Sequence, residues 1–320
     1  MKRLLGASLA VLATVVVLSF PCAAAQYPQK PITINCVFGP GGSADLGLRV
    51  VAEYATKNGF TMNVVNKAGG GGSQSAMDTL RARPDGYTVL FSSPSAMIIL
   101  PSMQNAGYTL EDFTPVANIS DMPNTFCALT ASGIKTFKEW MDRAIAEPGK
   151  YNYGSPGSVT SQRLLMTTLI QDKFPGANVP HVPYQSGHEA NTALLGGHTK
   201  AAFGVPGTNK NYLQSGEFTL LAVTSAKRLP EYPNVPTFSE MFGDRYVWAS
   251  FHGLFVPKAT PKDVVDKLSS IVKAALEDPE VLAKFDKIGI TADYLNPADY
   301  AKETSRVLAF VKEAVKGLKM

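Results

Sequence analysis

The residues best suited to chemistry lie in one short loop, Phe38-Gly39-Pro40-Gly41-Gly42-Ser43-Ala44-Asp45. It follows an apolar, strand-like run, Ile32–Phe38. It opens a stretch, Ala44–Lys57, in which Leu48, Val51, Ala52 and Ala55 share one helical face. Glycines let the backbone come close to a ligand. The free amides of a helix start, with the helix dipole behind them, favour an anion. The plainer reading is a tight turn that the strand-to-helix joint needs. The spacing Gly39-x-Gly41-x-x-Ala44 also fits a dinucleotide fingerprint. That reading asks for an acidic residue at the end of the second strand, and Val65-Asn66 stands there instead.

A second loop of the same kind is Tyr153-Gly154-Ser155-Pro156-Gly157-Ser158-Val159-Thr160-Ser161. Hydroxyls at Ser155, Ser158, Thr160 and Ser161 can donate to carboxylate oxygens or cap the following helix. Capping explains one of them and leaves the cluster over. Two such helix starts, facing one another, could hold both ends of a small dianion without a dedicated arginine. A third run, Ala68-Gly69-Gly70-Gly71-Gly72-Ser73, fits a ligand-facing loop and a flexible joint equally well. The histidines, His181, His188, His198 and His252, come with no H-E-x-x-H pattern and no Cys/His cluster, so they read as structural or surface residues. No G-x-S-x-G elbow is present. Catalysis, a metal and a cofactor all lack positive support.

The elements that must carry these loops alternate. Strands are expected over Ile32–Phe38, Met62–Val65 and Tyr87–Ser92, with helices over Ala44–Lys57 and Ser73–Arg83 between them. This is the grammar of a parallel α/β sheet. It repeats further on. Thr136-x-x-Glu139 and Ser186-x-x-Glu189 are capping boxes. Ser158 or Thr160 can cap the helix between them. Strands are expected at Tyr151–Tyr153, His181–Tyr184, Lys200–Phe203 and Leu220–Thr224. Thr260-Pro261, Asp278-Pro279 and Asn296-Pro297 each set a cap residue before a proline suited to the first helical position, so helices are expected over 261–277, 279–287 and 297–317. Leu229–Gly243 reads as a long irregular connection. The apolar segments Val116–Leu129 and Trp248–Val256 stand where the chain would pass between lobes, once in each direction.

At 320 residues the chain is long enough for about two domains of roughly 100–200 residues each. Met1-Lys2-Arg3, an apolar run from Leu4 to Phe20 and Ala23-Ala24-Ala25 make a secretory signal peptide over 1–25, with cleavage expected after Ala25 and a periplasmic location. Cys22 follows Pro21, a poor context for a lipid anchor. The formal charge is +4, of which Lys2 and Arg3 carry two. No basic run with interleaved aromatics is present, so nucleic acid is excluded as a partner. Cys36 and Cys127 lie in apolar, strand-like stretches and read as buried thiols. The compartment would also permit a disulfide.

With these motifs in place, the chain resembles the substrate-binding receptors of tripartite tricarboxylate transporters, the Bug family. The strings that carry the likeness run through the chain in order: Tyr27-Pro28-x-Lys30-Pro31-Ile32, the Phe38–Asp45 loop, Val65-Asn66-Lys67-x-Gly69-x-Gly71-Gly72, Pro84-Asp85-Gly86-Tyr87-Thr88 and Asn152-Tyr153-Gly154-Ser155-x-Gly157. His181-Val182-Pro183-Tyr184, Ala193-Leu194-Leu195-Gly196-Gly197, Leu221–Arg228 and Val235-Pro236-Thr237 follow. The resemblance implies a two-lobed α/β periplasmic binding protein of type II, a Venus flytrap. Each lobe would hold a mixed, mainly parallel sheet flanked by helices. Residues 26–122 and 250–320 would form a discontinuous first lobe, and 123–249 the second.

It also implies a small organic carboxylate as ligand, a di- or tricarboxylate or an aromatic acid, passed to the membrane components of a tripartite tricarboxylate transporter. The first loop would contribute Phe38, Gly39, Pro40, Gly41, Gly42, Ser43 and Asp45, with Ser92 and Ser93 bordering the cleft. The second lobe would contribute Ser155, Gly157, Ser158, Thr160, Tyr184, Phe203, Gly204 and Val205. Two departures stand out. Many members carry Asp where this chain has Gly204, which argues against a ligand ammonium group. Gly39 sits in a loop that is often richer in proline. A monomer is expected. The alternatives are a ligand-sensing receptor for a membrane signalling protein and an exported enzyme acting on a small acid.

Overall fold

The computed structural model describes residues 27–184 and 186–316. The expected signal peptide, with Cys22 and the cleavage after Ala25, lies outside the described residues. The chain begins β1 (Ile32–Cys36), α1 (Ser43–Lys57), β2 (Met62–Asn66), α2 (Ser73–Leu80), β3 (Thr88–Ser92) and α3 (Leu100–Met103). It continues through β4 (Phe113–Pro123), β5 (Thr125–Leu129), α4 (Phe137–Ala146), β6 (Tyr153–Pro156), α5 (Ser161–Lys173), β7 (His181–Tyr184), α6 (Gly187–Leu195), β8 (Ala201–Gly204), α7 (Pro206–Gln214) and β9 (Phe218–Val223). It ends with α8 (Phe238–Phe242), β10 (Ala249–Pro257), α9 (Lys262–Leu276), α10 (Pro279–Lys287), β11 (Thr291–Leu295) and α11 (Pro297–Lys316).

Two sheets result, and each organises a lobe. The first has the order β11-β4-β10-β3-β1-β2 and draws on both ends of the chain. Strand β1 pairs in parallel with β2 and β3, while β10 lies antiparallel between β3 and β4. The second sheet, β7-β6-β8-β5-β9, comes from the middle of the chain. Its β6, β7 and β8 are parallel, and β5 runs against β8 and β9. In both sheets four strands share one direction, so the sheets are mixed with a parallel majority.

Burial follows the sequence pattern. Leu48, Val51 and Ala55 of α1 pack with Ile32, Ile34 and Val89 of the sheet and with Leu268 and Val272 of α9 in one apolar cluster. The second lobe has an aromatic core. Phe126 meets Trp140 at 5.0 Å and Phe203 at 4.8 Å, and Phe137 meets Phe238 at 4.9 Å, centroid to centroid. Such edge and tilted ring pairs add to the stabilisation from burial. Cys36 and Cys127 are free and buried, and burial pushes their thiols up to about 11 and about 12.

The two passages between the lobes are tied together. Asn124 separates β4 from β5. Its amide donates to Thr224 Oγ1 at 2.8 Å, and the Thr224 amide returns to Asn124 O at 2.9 Å. The Trp248 amide donates to Thr224 O at 2.8 Å, just before β10 begins. Gln162 Nε2 of α5 completes the knot, donating to Asn124 Oδ1 at 2.6 Å.

Local signals held where they were strong. Thr136 and Ser186 cap α4 and α6 through the amides of Glu139 and Glu189. Three expectations need correction. Pro261 is the cap residue of α9 rather than its first helical residue. The connection 229–243 contains a short helix, α8, whose Thr237 and Glu240 close a full capping box. Strand β6 begins at Tyr153 rather than Tyr151; just before it, Asn152 Nδ2 donates to His198 O at 3.1 Å and Asn152 Oδ1 accepts from the Lys200 amide at 3.0 Å.

Candidate functional site

Strand β1 lies between β2 and β3, so its following loop leaves from the carboxyl end of the parallel strands. That is where open α/β sheets bind ligands. Gly39, Pro40, Gly41 and Gly42 are exposed, and a side chain at Gly39 or Gly41 would meet open space. Gly41 has φ +83°, which a side chain would strain. Helix α1 starts with Gly42 as its cap residue and no side chain over its end. The amides of its first turn are therefore left without an intrahelical partner.

The negative charge of Asp45 beside this opening is paired rather than free. Its side chain is 1% exposed. One carboxylate oxygen accepts from the Gly41 amide at 2.9 Å and from Arg49 Nε at 3.0 Å, and the other from Asn66 Nδ2 at 2.7 Å. Burial pushes the carboxyl upward, but the bonds from Arg49, Asn66 and Gly41 outweigh it and hold Asp45 below its ordinary range. Asn66 Nδ2 also donates to Phe38 O at 2.9 Å, and Arg49 Nη2 reaches Asn66 Oδ1 at 2.7 Å. Asp45, Arg49 and Asn66 thus form one brace under the loop. Asn66, standing where a dinucleotide site would want an acid, has a bracing role instead.

The floor beside this loop is aromatic. The Phe38 ring lies 5.1 Å from His252 and 5.8 Å from Phe91. Ser92 ends β3 opposite Gly253, is fully buried, and its Oγ has no hydrogen-bond partner among the described residues. Ser93 is buried next to it. The glycine run before α2 serves packing here. A side chain on Gly72 would press on Ala96 and Val37, at 2.6 and 3.1 Å.

In the second lobe, β6 leads through Gly157 (φ +96°) into α5. The Gly157 amide donates to Tyr184 O at 2.7 Å, joining the loop to the end of β7. Ser158 is exposed. Thr160 caps α5 by accepting from the Arg163 amide at 3.3 Å, and Arg163 Nη1 donates to Ser158 O at 2.8 Å. Ser155 is fully buried, with its hydroxyl 2.7 Å from His181 Nε2 and 3.4 Å from Thr160 Oγ1. Desolvation, then the Arg163 charge, lower His181 to about 4, so its ring is neutral at pH 7. The Tyr184 ring packs under Gly154, where an added side chain would meet it at 2.9 Å.

The three residues expected at the end of β8 separate. Phe203 is fully buried in the aromatic core, beside Phe126 and Tyr153. Gly204 has no room for a side chain, because the Asn209 carboxamide lies 2.5–2.9 Å from where a Cβ would stand. Asn209 is fully buried. Its Nδ2 donates to Thr125 Oγ1 at 2.8 Å, and its Oδ1 accepts from Asn191 Nδ2 at 2.7 Å. Val205 packs against the apolar cluster of the first lobe.

Residues 38–45 and 155–160 make no hydrogen bond to each other among the described residues; each loop carries its own bracing. Sequence reading missed Arg49, Asn66, His181, Asn209 and His252. Only the Asp45/Arg49 pair, at helical i,i+4 spacing, left a local sign.

A family described as "Tripartite tricarboxylate transporter family receptor" matches residues 48–317. A UPF0065 protein of Cupriavidus necator is 33% identical over 303 residues, covering 92% of this chain and 89% of the relative. The solved structure of the periplasmic binding protein BugD superposes with a TM-score of 0.75 at 30% identity, covering 91% of this chain and 98% of that one. A Rhodopseudomonas palustris protein solved with adipate has a TM-score of 0.79 at 24% identity, covering 91% of this chain and 97% of that one, and shares the fold. The two lobes are those of a periplasmic binding protein, and the chain belongs to the tripartite tricarboxylate transporter receptor family.

Proposed function

We propose that this receptor captures a small organic carboxylate between its lobes and delivers it to the membrane components of a tripartite tricarboxylate transporter. The observation that carries the reading is the start of α1, which has no side-chain cap and lies under an exposed glycine loop, with the Asp45 charge paired by Arg49 and fully bonded. A helix start in that condition favours an anion. The partnerless hydroxyl of Ser92 supplies a buried donor beside the same loop. The likeness to a protein solved with adipate supports a carboxylate as the ligand class.

The proposed contacts are the backbone of 39–43 with Ser92 and Ser93 from the first lobe, and Gly157, Ser158, Thr160 and Tyr184 from the second. Gly204 and Val205 border the cleft. Asp45, Ser155 and Phe203 act from behind it. The proposed division, 26–122 with 250–320 against 123–249, is supported by sheet membership and by the knot at Asn124, Thr224 and Trp248. Closure about that knot would be driven by contacts that both lobes make to the ligand. Removal of residues 1–25 during export to the periplasm belongs to the same proposal.

A thermal-shift screen against aliphatic di- and tricarboxylates, aromatic acids and amino acids tests it. A true ligand at 100 times its Kd adds about 2.7 kcal/mol of stability. Stabilisation by acids alone is the expected result. Stabilisation by amino acids alone would overturn the reading of the neutral wall at Gly204.

A further inference from the structure

Three groups from three elements stand in line behind the second loop. His181 Nε2 lies 2.7 Å from Ser155 Oγ, which lies 3.4 Å from Thr160 Oγ1. Ser155, at the centre of the line, is fully buried, Thr160 at one end is 8% exposed, and His181 at the other end is half-buried. The His181 ring is held against Tyr153, with centroids 5.1 Å apart. The charge beside it is Arg163, and its guanidinium is engaged with Ser158 O.

Two senses of the line differ in what Thr160 can offer outward. Each hydroxyl has one hydrogen to give. Thr160 Oγ1 must accept from the Arg163 amide, because it caps α5. If His181 accepts at Nε2, Ser155 donates to it, Thr160 donates to Ser155, and Thr160 has no hydrogen left for anything outside. If His181 donates from Nε2, Ser155 donates to Thr160, and the Thr160 hydrogen is free to point outward.

We propose that His181 is a positioning residue that donates through Nε2 to Ser155, so that Thr160 presents its hydroxyl hydrogen to the ligand carboxylate. The inference rests on the carboxylate reading of the cleft, and it adds a residue that touches no ligand. A neutral ring is required for a fixed tautomer, and His181 is neutral above about pH 4. The strand register supports the geometry. Tyr153 pairs with His181 and Ser155 with Pro183, which sets the imidazole beside the serine from the neighbouring strand.

The tautomer is measurable without any ligand. Nitrogen-15 spectra of the imidazole rings at pH 7, with His181 assigned by loss of its signal in His181→Gln, should show the proton on Nε2. A proton on Nδ1 overturns the proposal. Binding gives a second measure, with adipate as the probe. His181→Gln keeps a donor and should hold affinity within about twofold, whereas His181→Leu should lose about tenfold, the low end of a hydrogen bond to a charged group. Thr160→Val should lose a similar factor, and His181→Leu added to it should cost nothing further. Additive losses would overturn the relay. If no acid in the screen binds the wild type, the reading of the cleft fails, and the tautomer alone still decides the relay.

Discussion

Gly207 and Gly289 meet backbone to backbone between the two lobes. A Cβ on Gly289 would lie 2.6 Å from Gly207 Cα, and one on Gly207 would lie 3.0 Å from Ile288 O. Gly207 is in the first turn of α7, and Gly289 is in the turn between α10 and β11. Val205 and Ile288 pack on the same apolar cluster beside them. These close approaches are backbone to backbone, so a side chain at either glycine would have to displace the facing segment.

Gly207→Val should hold the lobes apart. Gly207 is the cleaner site, since Gly289 has φ +67° and would be strained by any side chain. Overpacking typically costs about 1–3 kcal/mol, and here it falls on the arrangement in which the two glycines touch. The expected results are a larger radius of gyration by X-ray scattering and weaker adipate binding, with an unchanged far-ultraviolet spectrum. An unaltered radius with unaltered affinity would show that the contact does not limit closure.

Asp45→Asn should loosen the first loop. The change removes the charge that Arg49 faces and weakens the hold on Gly41. Loss of a charge-assisted hydrogen bond of this kind costs about 1.5–3 kcal/mol. The wild-type carboxyl is held below its unfolded value, so its contribution is present above the unfolded pKa of about 3.9 and disappears as pH falls through the folded one. Urea titrations should therefore show the mutant weaker at pH 7, with the gap narrowing below pH 4.

Asp121 should behave in the opposite sense. It lies in β4, two residues before Pro123, and its Oδ1 is buried without a hydrogen-bond partner among the described residues. Desolvation, then the charges of Asp293 and Glu303, raise it to about 7, against a weaker pull from Arg306. Stability from a raised carboxyl is full below the unfolded pKa of about 3.9 and is lost as pH rises through the folded value. Asp121→Asn should stabilise the protein at pH 8 by on the order of 2 kcal/mol, with no gain at pH 4. An equal gain at both pH values would mean that the charge is not the cause.

Gly204→Asp should be costly, because Asn209 already fills the space. The new carboxylate would displace an amide that Thr125 and Asn191 hold, breaking a buried network at about 2–4 kcal/mol. Adding Asn209→Gly should recover part of that loss in the melting temperature. A Gly204→Asp variant as stable as the wild type would show that the wall can repack.

Legibility in the sequence followed distance along the chain. The loop after β1, the caps at Thr136 and Ser186 and the starts of α10 and α11 rest on residues within a turn of one another, and each was readable. The supports behind the site are not local. Asn66 reaches Asp45 across 21 residues, and His181 reaches Ser155 across 26. Helix α7 carries little apolar periodicity, and only Asn209 of its nine residues is buried, so its pattern hid it. Placing β10 between β3 and β4 depends on pairing far along the chain, which no window of sequence contains.

That placement of β10 has a consequence for how the chain acquires its shape. A polypeptide emerging with its first residues ahead supplies β1, β2, β3 and β4 early, but β10 must slot between β3 and β4. Until residue 257 has emerged, both strands present open hydrogen-bonding edges where the middle of the sheet will be. Long-range pairing of this kind is intrinsically slow. The early segment thus waits for its central partner while β5 to β9, the whole second sheet, emerge. The strand that joins the two halves of the first sheet comes after every strand of the second.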